Sequence, residues 1–282
     1  MFNNLPESAP DMIHWEWDQY KPFFDDLAQR TVDRDSVESF LKDWTRLAER
    51  IDEIYSRLHV ATTVNTADEE ADRLHHRFLD SIYPPAQEAE QKLKEKLLAT
   101  GLEPEGFKVP LRNMRSETEL FRAENVPILA EEQKRVNEFN KIIGAQTIQW
   151  EGREVTLQQL RPVYQDTSRE KREMAWRLAA RRRLEDREKI NELWKEFYAS
   201  RQQLASNAGM NSYLDYRWQQ MHRFDYPPAD CETFRQAILE VAVPAATRVY
   251  QRRQERLGVD SLRPWDLSVD PLSRPPLRPF KD

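Results

Sequence analysis

Glycine and cysteine are scarce in this sequence. Six glycines among 282 residues fall well below the roughly 7 % usual in globular chains. Tight β-turns draw on glycine at positive φ, so the shortage argues against a sheet-rich fold and for long helices with few hairpins. The single cysteine, Cys231, excludes an internal disulfide and fits a reducing compartment. No stretch approaches the ~20 apolar residues of a membrane span. The opening MFNNLPESAP has neither the basic stretch nor the apolar core of a secretory signal, so the expected location is the cytoplasm. An excess of one charge is missing too: 43 basic and 49 acidic residues interleave to a net −6. That balance points to no nucleic-acid and no membrane partner.

What is present reads as a folded, charged, mainly helical protein. A third of the residues are charged and mean hydropathy is −0.85, yet eight tryptophans and 10 % aromatic residues do not suit a solvated coil. The clearest helix is expected from about Ser36 to Thr62, where Val37, Phe40, Leu41, Trp44, Leu47 and Ile51 recur at steps of three and four. Asp35 and Glu38 suggest a capping box at its start. A second helix runs from about Ala67 to Tyr83, where Pro84-Pro85 should end or kink it. A third reaches Thr100, with Glu88–Lys92 and Glu90–Lys94 as pairs on its wet face. A loop around GLEPEGFKVPLRN precedes a short helix near Glu117–Ala123 and another from Pro127 to Ile143. Gly101, Gly144 and Gly258 each follow a helical pattern, where a left-handed cap favours glycine. Gly152, inside TIQWEGREVTL, marks a small β-hairpin near residues 146–157. TLQQLRPVYQD should form a short helix, 168–209 one or two long ones, and Cys231–Leu257 a last helix kinked at Pro244. The fold class is all-α, an irregular multi-helix array with that one hairpin. Residues 1–10 are expected as a flexible start, 11–144 as a helical subdomain, 145–262 as the hairpin with long helices, and 263–282 as a Pro-rich linker.

Candidate chemistry is thin. His14, His59, His75, His76 and His222 form no His-Glu-x-x-His motif, and adjacent His75 and His76 point about 100° apart on a helix. Asp72, His76 and Asp80 share one helix face at i, i+4, i+8. A weak divalent-metal site there competes with a solvated charged face, and the second reading is favoured. Arg181, Arg182 and Arg183 could form a phosphate patch, but Glu185, Asp186 and Glu188 follow directly, which again favours a solvated face. Cys231, near a helix start, has no nearby histidine to activate it. Phosphate-cradling, dinucleotide and nucleophile-elbow glycine motifs are absent from the sequence.

Three stretches nevertheless carry a resemblance: Ser116–Leu178, Ala205–Phe234 and Arg252–Pro271. The recurring elements are Phe121–Asn125, the hairpin around Gly152, the segment with Arg172, Glu173, Ala175 and Trp176, the turn with Ala208, Gly209, Ser212 and Tyr213, and Pro264–Leu267. In order and spacing they resemble the N-terminal half of the oligoendopeptidase F-like zinc metallopeptidases, relatives of thimet oligopeptidase. The resemblance implies two helical halves around a channel that admits short peptides. It also implies hydrolysis by zinc held on a His-Glu-x-x-His helix plus a further glutamate, with water activated by the metal and the motif glutamate as general base. Those residues belong to the C-terminal half, and SRPPLRPFKD (Ser273–Asp282) resembles the linker that leads to it. No catalytic or metal-ligating residue therefore carries over to any position here, and substrate-binding positions stay unassigned. The expected role is one wall of the peptide channel in a cytoplasmic zinc metalloendopeptidase, whose partners are short peptides and its own catalytic half; this chain alone is expected to be inactive and to bind no zinc. The rival is a stand-alone helical scaffold or interaction module. An exposed apolar patch, self-association and a disordered tail after about Asp270 are also expected.

Overall fold

A computed structural model describes residues 1–274 of the chain. In chain order the helices are α1 (Trp17–Gln29), α2 (Val37–Val64), α3 (Glu69–Arg77), α4 (Tyr83–Ala99), α5 (Lys108–Leu120) and α6 (Asn125–Gly144). Strands β1 (Thr147–Trp150) and β2 (Arg153–Thr156) come next. They are followed by α7 (Arg169–Glu185), α8 (Arg187–Asn207), α9 (Tyr213–Gln220), α10 (Pro228–Ala237) and α11 (Val243–Leu257). Among the described residues the all-α reading with one hairpin holds.

Helix α2 shows how sequence becomes packing. No glycine or proline interrupts it, and Val37, Phe40, Leu41, Trp44, Leu47, Ile54 and Leu58 line one buried side. At 1.5 Å per residue it is about 42 Å long. Its start differs from the expected box. The Asp33 carboxylate accepts from the Asp35 and Ser36 amides and from the Ser36 hydroxyl, at 2.7–3.0 Å, so the turn is held from two residues further upstream.

Prolines explain the next differences. Pro84-Pro85 do not end the helix: a π turn at Phe78–Ile82 precedes them, and the Tyr83 N–H reaches back to Phe78 O. The wider turn moves the upstream carbonyls out of the way of rings that cannot donate, and both prolines sit in the first turn of α4. The same device recurs where α10 gives way to α11. A π turn at Ile238–Ala242 passes the Val243 N–H to Ile238 O just ahead of Pro244. Pro110 likewise sits in the first turn of α5, so that helix begins at Lys108 inside the expected loop and stops at Leu120, three residues short of expectation. TLQQLRPVYQD forms two 3-10 turns, Leu157–Leu160 and Val163–Gln165, on either side of Pro162.

The chain divides into two compact units: Met1–Lys141 with Leu193–Phe224, and Ile142–Glu192 with the residues from Asp225 onward. The core of the first gathers Tyr20, Phe24 and Leu27 of α1, the buried side of α2, Leu93 and Leu97 of α4, and Leu111 of α5. Residues 1–10, expected to be flexible, contribute Phe2, Leu5 and Ala9 to that core. A smaller cluster joins Leu120, Leu204, Ala205, Ala208 and Tyr216. In the second unit, Leu160, Ala175 and Ala179 are buried against Ile148, Trp150 and Val155 of the hairpin.

The hairpin pairs Thr147 with Thr156 and Trp150 with Arg153. Its two turn residues, Glu151 and Gly152, have φ of 49° and 78°, the mirror-image turn that matches strand twist. Gly101 and Gly258 take the expected left-handed caps. Gly144 does not: α6 includes it, and the Gln146 N–H closes a further turn onto Ile143 O. The expected disorder after Asp270 concerns mainly residues that lie outside the described ones.

Candidate functional site

The resemblance-bearing residues are clamps. In the first unit Arg122 donates to the carbonyls of Asn207 (3.1 Å), Glu119 (3.0 Å) and Phe121 (2.6 Å). Asn125 donates to Leu204 O at 3.0 Å and accepts from Asn207 Nδ2 at 2.7 Å. These bonds fasten the start of α6 to the end of α8. There Gly209, with φ of 73°, allows the Met210 N–H to reach Ala205 O. The α8–α9 turn is fixed in this way, and Ser212 caps α9 through the Asp215 amide.

The clamp shapes a cleft of about 270 Å3 between α4, α5, α6 and α9. Tyr83, Leu120, Val126, Leu129 and Tyr216 supply apolar wall; Gln87, Gln91, Lys94, Glu117 and Gln220 supply polar groups. Lys94 does not pair with Glu90 along its own helix, as the i,i+4 spacing suggested. It pairs with Glu117 on α5 at 2.7 Å. Glu90 turns inward instead and accepts from the Trp44 indole N–H at 3.0 Å. Burial raises the Glu90 carboxyl, partly offset by that hydrogen bond and by Lys94. Burial, then Tyr55 and Tyr216, pushes the Tyr83 phenol up to about 12. The cleft can hold a small amphipathic group, apolar on one side and hydrogen-bonded on the other. Its lining contains no histidine, cysteine, serine or threonine, so it holds no hydroxyl or thiol of those residues beside an imidazole.

In the second unit the corresponding clamp is ionic. Arg172 donates to Asp266 Oδ1 at 3.0 Å and to the carbonyls of Trp265, Asp166 and Thr167 at 2.8, 2.8 and 3.1 Å. Arg169 grips both Asp266 oxygens, at 3.0 and 2.9 Å, and the Arg263 N–H adds a bond of 3.0 Å. Asp266 has no exposed surface. Burial raises its carboxyl, but Arg169, the Arg263 amide and Arg172 more than offset that, leaving it below the usual carboxylate range. Arg253 of α11 donates to Asp266 O and to the carbonyls of Leu267 and Val269, which fixes the course of residues 264–269.

The sequence candidates fall elsewhere. Asp72 accepts from Asn137 at 2.6 Å and Lys141 at 2.7 Å, with His76 Nε2 at 3.7 Å. Asp80 pairs with Lys134 at 2.5 Å. Lysines thus stand where a divalent ion would have stood, and the π turn displaces Asp80 from the regular i+8 spacing. Arg182 pairs with Asp186 at 2.6 Å, while Arg181 and Arg183 are exposed. Cys231 is half-buried on α10. The most unusual histidine is His75, which is fully buried with no partner on either ring nitrogen; the nearby His59 Nδ1 is also unpartnered. The two rings stand 5.8 Å apart. Burial, then His59 and His76, holds His75 down to about 4. Among the described residues, no group of three or more His, Cys, Asp or Glu side chains could hold a metal ion. The donors present therefore do not fit a catalytic zinc, which takes three protein ligands. No helix of the described residues is long and apolar enough to cross a membrane.

Sequence reasoning missed Arg122, Asn125, Arg172 and Asp266 as structural clamps. The available signal was a charged or amide side chain set among aromatic residues, as in Phe121-Arg122 and Trp265-Asp266.

Two family models match the sequence. One, described as the Peptidase M3 N-terminal domain, matches residues 10–121; the other, described as Peptidase family M3, matches residues 163–279. A comparison with curated proteins gives no match. Among solved structures, PZ peptidase A with an inhibitor superposes with a TM-score of 0.85 at 21 % identity, covering 95 % of this chain and 48 % of that one. An oligoendopeptidase F of Bacillus anthracis gives 0.80 at 19 % identity, covering 91 % and 49 %. The oligoendopeptidase-F of Enterococcus faecium gives 0.73 at 16 % identity, covering 93 % and 56 %. The chain thus spans about half the length of the proteins it resembles.

Proposed function

Because this chain belongs to peptidase family M3, we propose that it is the non-catalytic helical half of an oligopeptide-cleaving zinc metalloendopeptidase. In this reading it forms one wall of the compartment that receives short peptides, and hydrolysis depends on a second half that carries the zinc. The observation that carries the reading is the agreement of fold over nearly the whole chain with about half of each oligoendopeptidase F-like structure. The lack of any His-Glu-x-x-His in the 282 residues supports it, as does the lack of a metal-holding group among the described ones.

When bound in the other half, zinc would activate water and polarise the scissile carbonyl. This chain's own contribution would be steric and polar. Rigid helices, locked by the Arg122–Asn125 and Arg172–Asp266 clamps, would exclude folded substrates. The cleft beside α4 would take one amphipathic group of a peptide.

A second reading is a helical interaction module that acts without any catalytic half. It is favoured by the apolar side chains left exposed along α10, α11 and the π turn between them, among them Phe234, Leu239 and Val241. Incubating the purified chain with a quenched fluorogenic oligopeptide and added zinc tests the non-catalytic character common to both. The expected result is no turnover above buffer; turnover abolished by a chelator would refute it. Reading the gene past codon 282 separates the two. An in-frame continuation encoding His-Glu-x-x-His supports the peptidase half, and a stop codon in an intact gene supports the module.

A further inference from the structure

Helix α4 gives the cleft of the first unit a single polar stripe. Tyr83, Gln87, Gln91 and Lys94 line it at i, i+4, i+8 and i+11, within about 80° of one another around the helix. The other helices contribute Leu120, Val126, Leu129 and the Tyr216 ring. The charged groups of the lining are already committed. Lys94 pairs with Glu117 at 2.7 Å, and Arg122 spends its guanidinium on four backbone carbonyls. Three neutral groups are not. Among the described residues the Tyr83 and Tyr216 hydroxyls and the Gln87 amide have no hydrogen-bond partner, yet none is sealed from solvent. Gln91 gives its N–H to Glu95 at 2.8 Å and keeps its oxygen open. Tyr216 is only 4 % exposed, and a hydroxyl held that deep without a protein partner marks a place where a ligand supplies one. Burial raises both phenols, which therefore keep their protons to donate.

Spacing identifies the ligand. Residues four apart on a helix rise about 6 Å, and residues two apart on an extended chain rise about 6.6–6.8 Å. Polar side chains at 83, 87 and 91 therefore meet every second peptide unit of a strand laid along α4, over about 12 Å. We propose that this cleft holds an extended peptide of about four residues by its backbone, through Tyr83, Gln87, Gln91 and Tyr216. The phenols donate to peptide carbonyls, the Gln91 oxygen accepts a peptide N–H, and the Gln87 amide does both. Alternate side chains of the strand then point to Leu120, Val126 and Leu129, which favours apolar residues two apart. A lone carboxylate or phosphate fits worse, because no cation of the lining is uncommitted. As a subsite for peptides the cleft rests on the channel-wall reading given above, but zinc takes no part in it.

Calorimetric titration of the native chain with acetyl-Ala-Leu-Ala-Leu-amide, capped so that neither end is charged, tests this. Binding should saturate by ~5 mM. The same peptide methylated on every amide nitrogen cannot donate and should bind at least tenfold more weakly, as should the peptide with glutamate in place of both leucines. Tyr83→Phe with Tyr216→Phe removes two hydroxyls that bond nothing among the described residues. Circular dichroism and thermal unfolding should stay unchanged in that variant, while its affinity for the peptide falls at least tenfold. Absence of saturation at ~5 mM overturns the proposal. Equal binding by the methylated peptide, or by the double variant, overturns it too. No zinc is added, so failure here leaves the turnover and gene-continuation tests of the peptidase reading as they stand. A stop codon in the intact gene, with the peptide still bound, would remove the peptidase and keep the cleft.

Discussion

Replacing Asp266 with alanine should loosen one region of the second unit and leave the first untouched. In the native chain the Asp266 carboxylate, without exposed surface, takes bonds from Arg169, Arg172 and the Arg263 amide. Truncation strands the Arg172 guanidinium, itself buried, with no counter-charge. Breaking one side of a buried ion pair typically costs 3–5 kcal/mol. Three carbonyls still accept from Arg172, so the lower end of that range, about 3 kcal/mol, is the expectation. That corresponds to roughly a hundredfold faster opening. Hydrogen exchange resolved by residue is the suitable assay, since the chain has two units and global unfolding need not be two-state. The amides of Arg172, Asp266 and Leu267 should exchange about a hundredfold faster, and those in the middle of α2 should not change. Arg172→Met combined with Asp266→Leu should recover most of the loss, because a paired apolar replacement leaves no orphaned charge. Protection within threefold of the native chain in Asp266→Ala would refute the reasoning.

His75 should make the first unit acid-sensitive. Its folded value near 4 lies below the ordinary ~6.5, so between those two pH values the unfolded chain binds a proton that the folded chain refuses. Stability should fall as pH drops through that window, by up to about 3 kcal/mol. His75→Phe should flatten the dependence, which urea midpoints from pH 7 to 4 would measure. Gly152→Val places a branched side chain at a φ of 78° and should destabilise the hairpin by ~1 kcal/mol or more, read as faster exchange of the β1 and β2 amides. Asp266 itself, held below the usual carboxylate range, adds stability above that range that is lost as pH falls through its lowered value. The protection of residues 264–269 should accordingly fail at a lower pH than an unpaired aspartate would set.

Periodicity made the helices legible, and least so where proline intervened. Helix α2 could be read nearly to its ends because its burial is local and repeats at the helical step. The π turns before Pro84 and Pro244 could not be read, because a proline in sequence announces only a missing donor; whether the chain kinks, stops or widens depends on packing around it. Glu90 shows the same limit. Its spacing to Lys94 suggested a wet surface pair, but the partner that decided its orientation, Trp44, lies far away in sequence. The clamps were visible as recurring motifs and not as contacts, since Arg172 and Asp266 meet only after folding. An apolar patch was expected without a location, and the unpartnered His75 left no mark in its neighbours.

Metal stoichiometry bears most directly on the central claim that this chain cannot itself hold the hydrolytic centre. The full chain, equilibrated with one equivalent of zinc and dialysed, should retain well below a tenth of an equivalent by mass spectrometry and leave an added oligopeptide intact. Retention of a full equivalent, with peptide cleavage that a chelator abolishes, would contradict it.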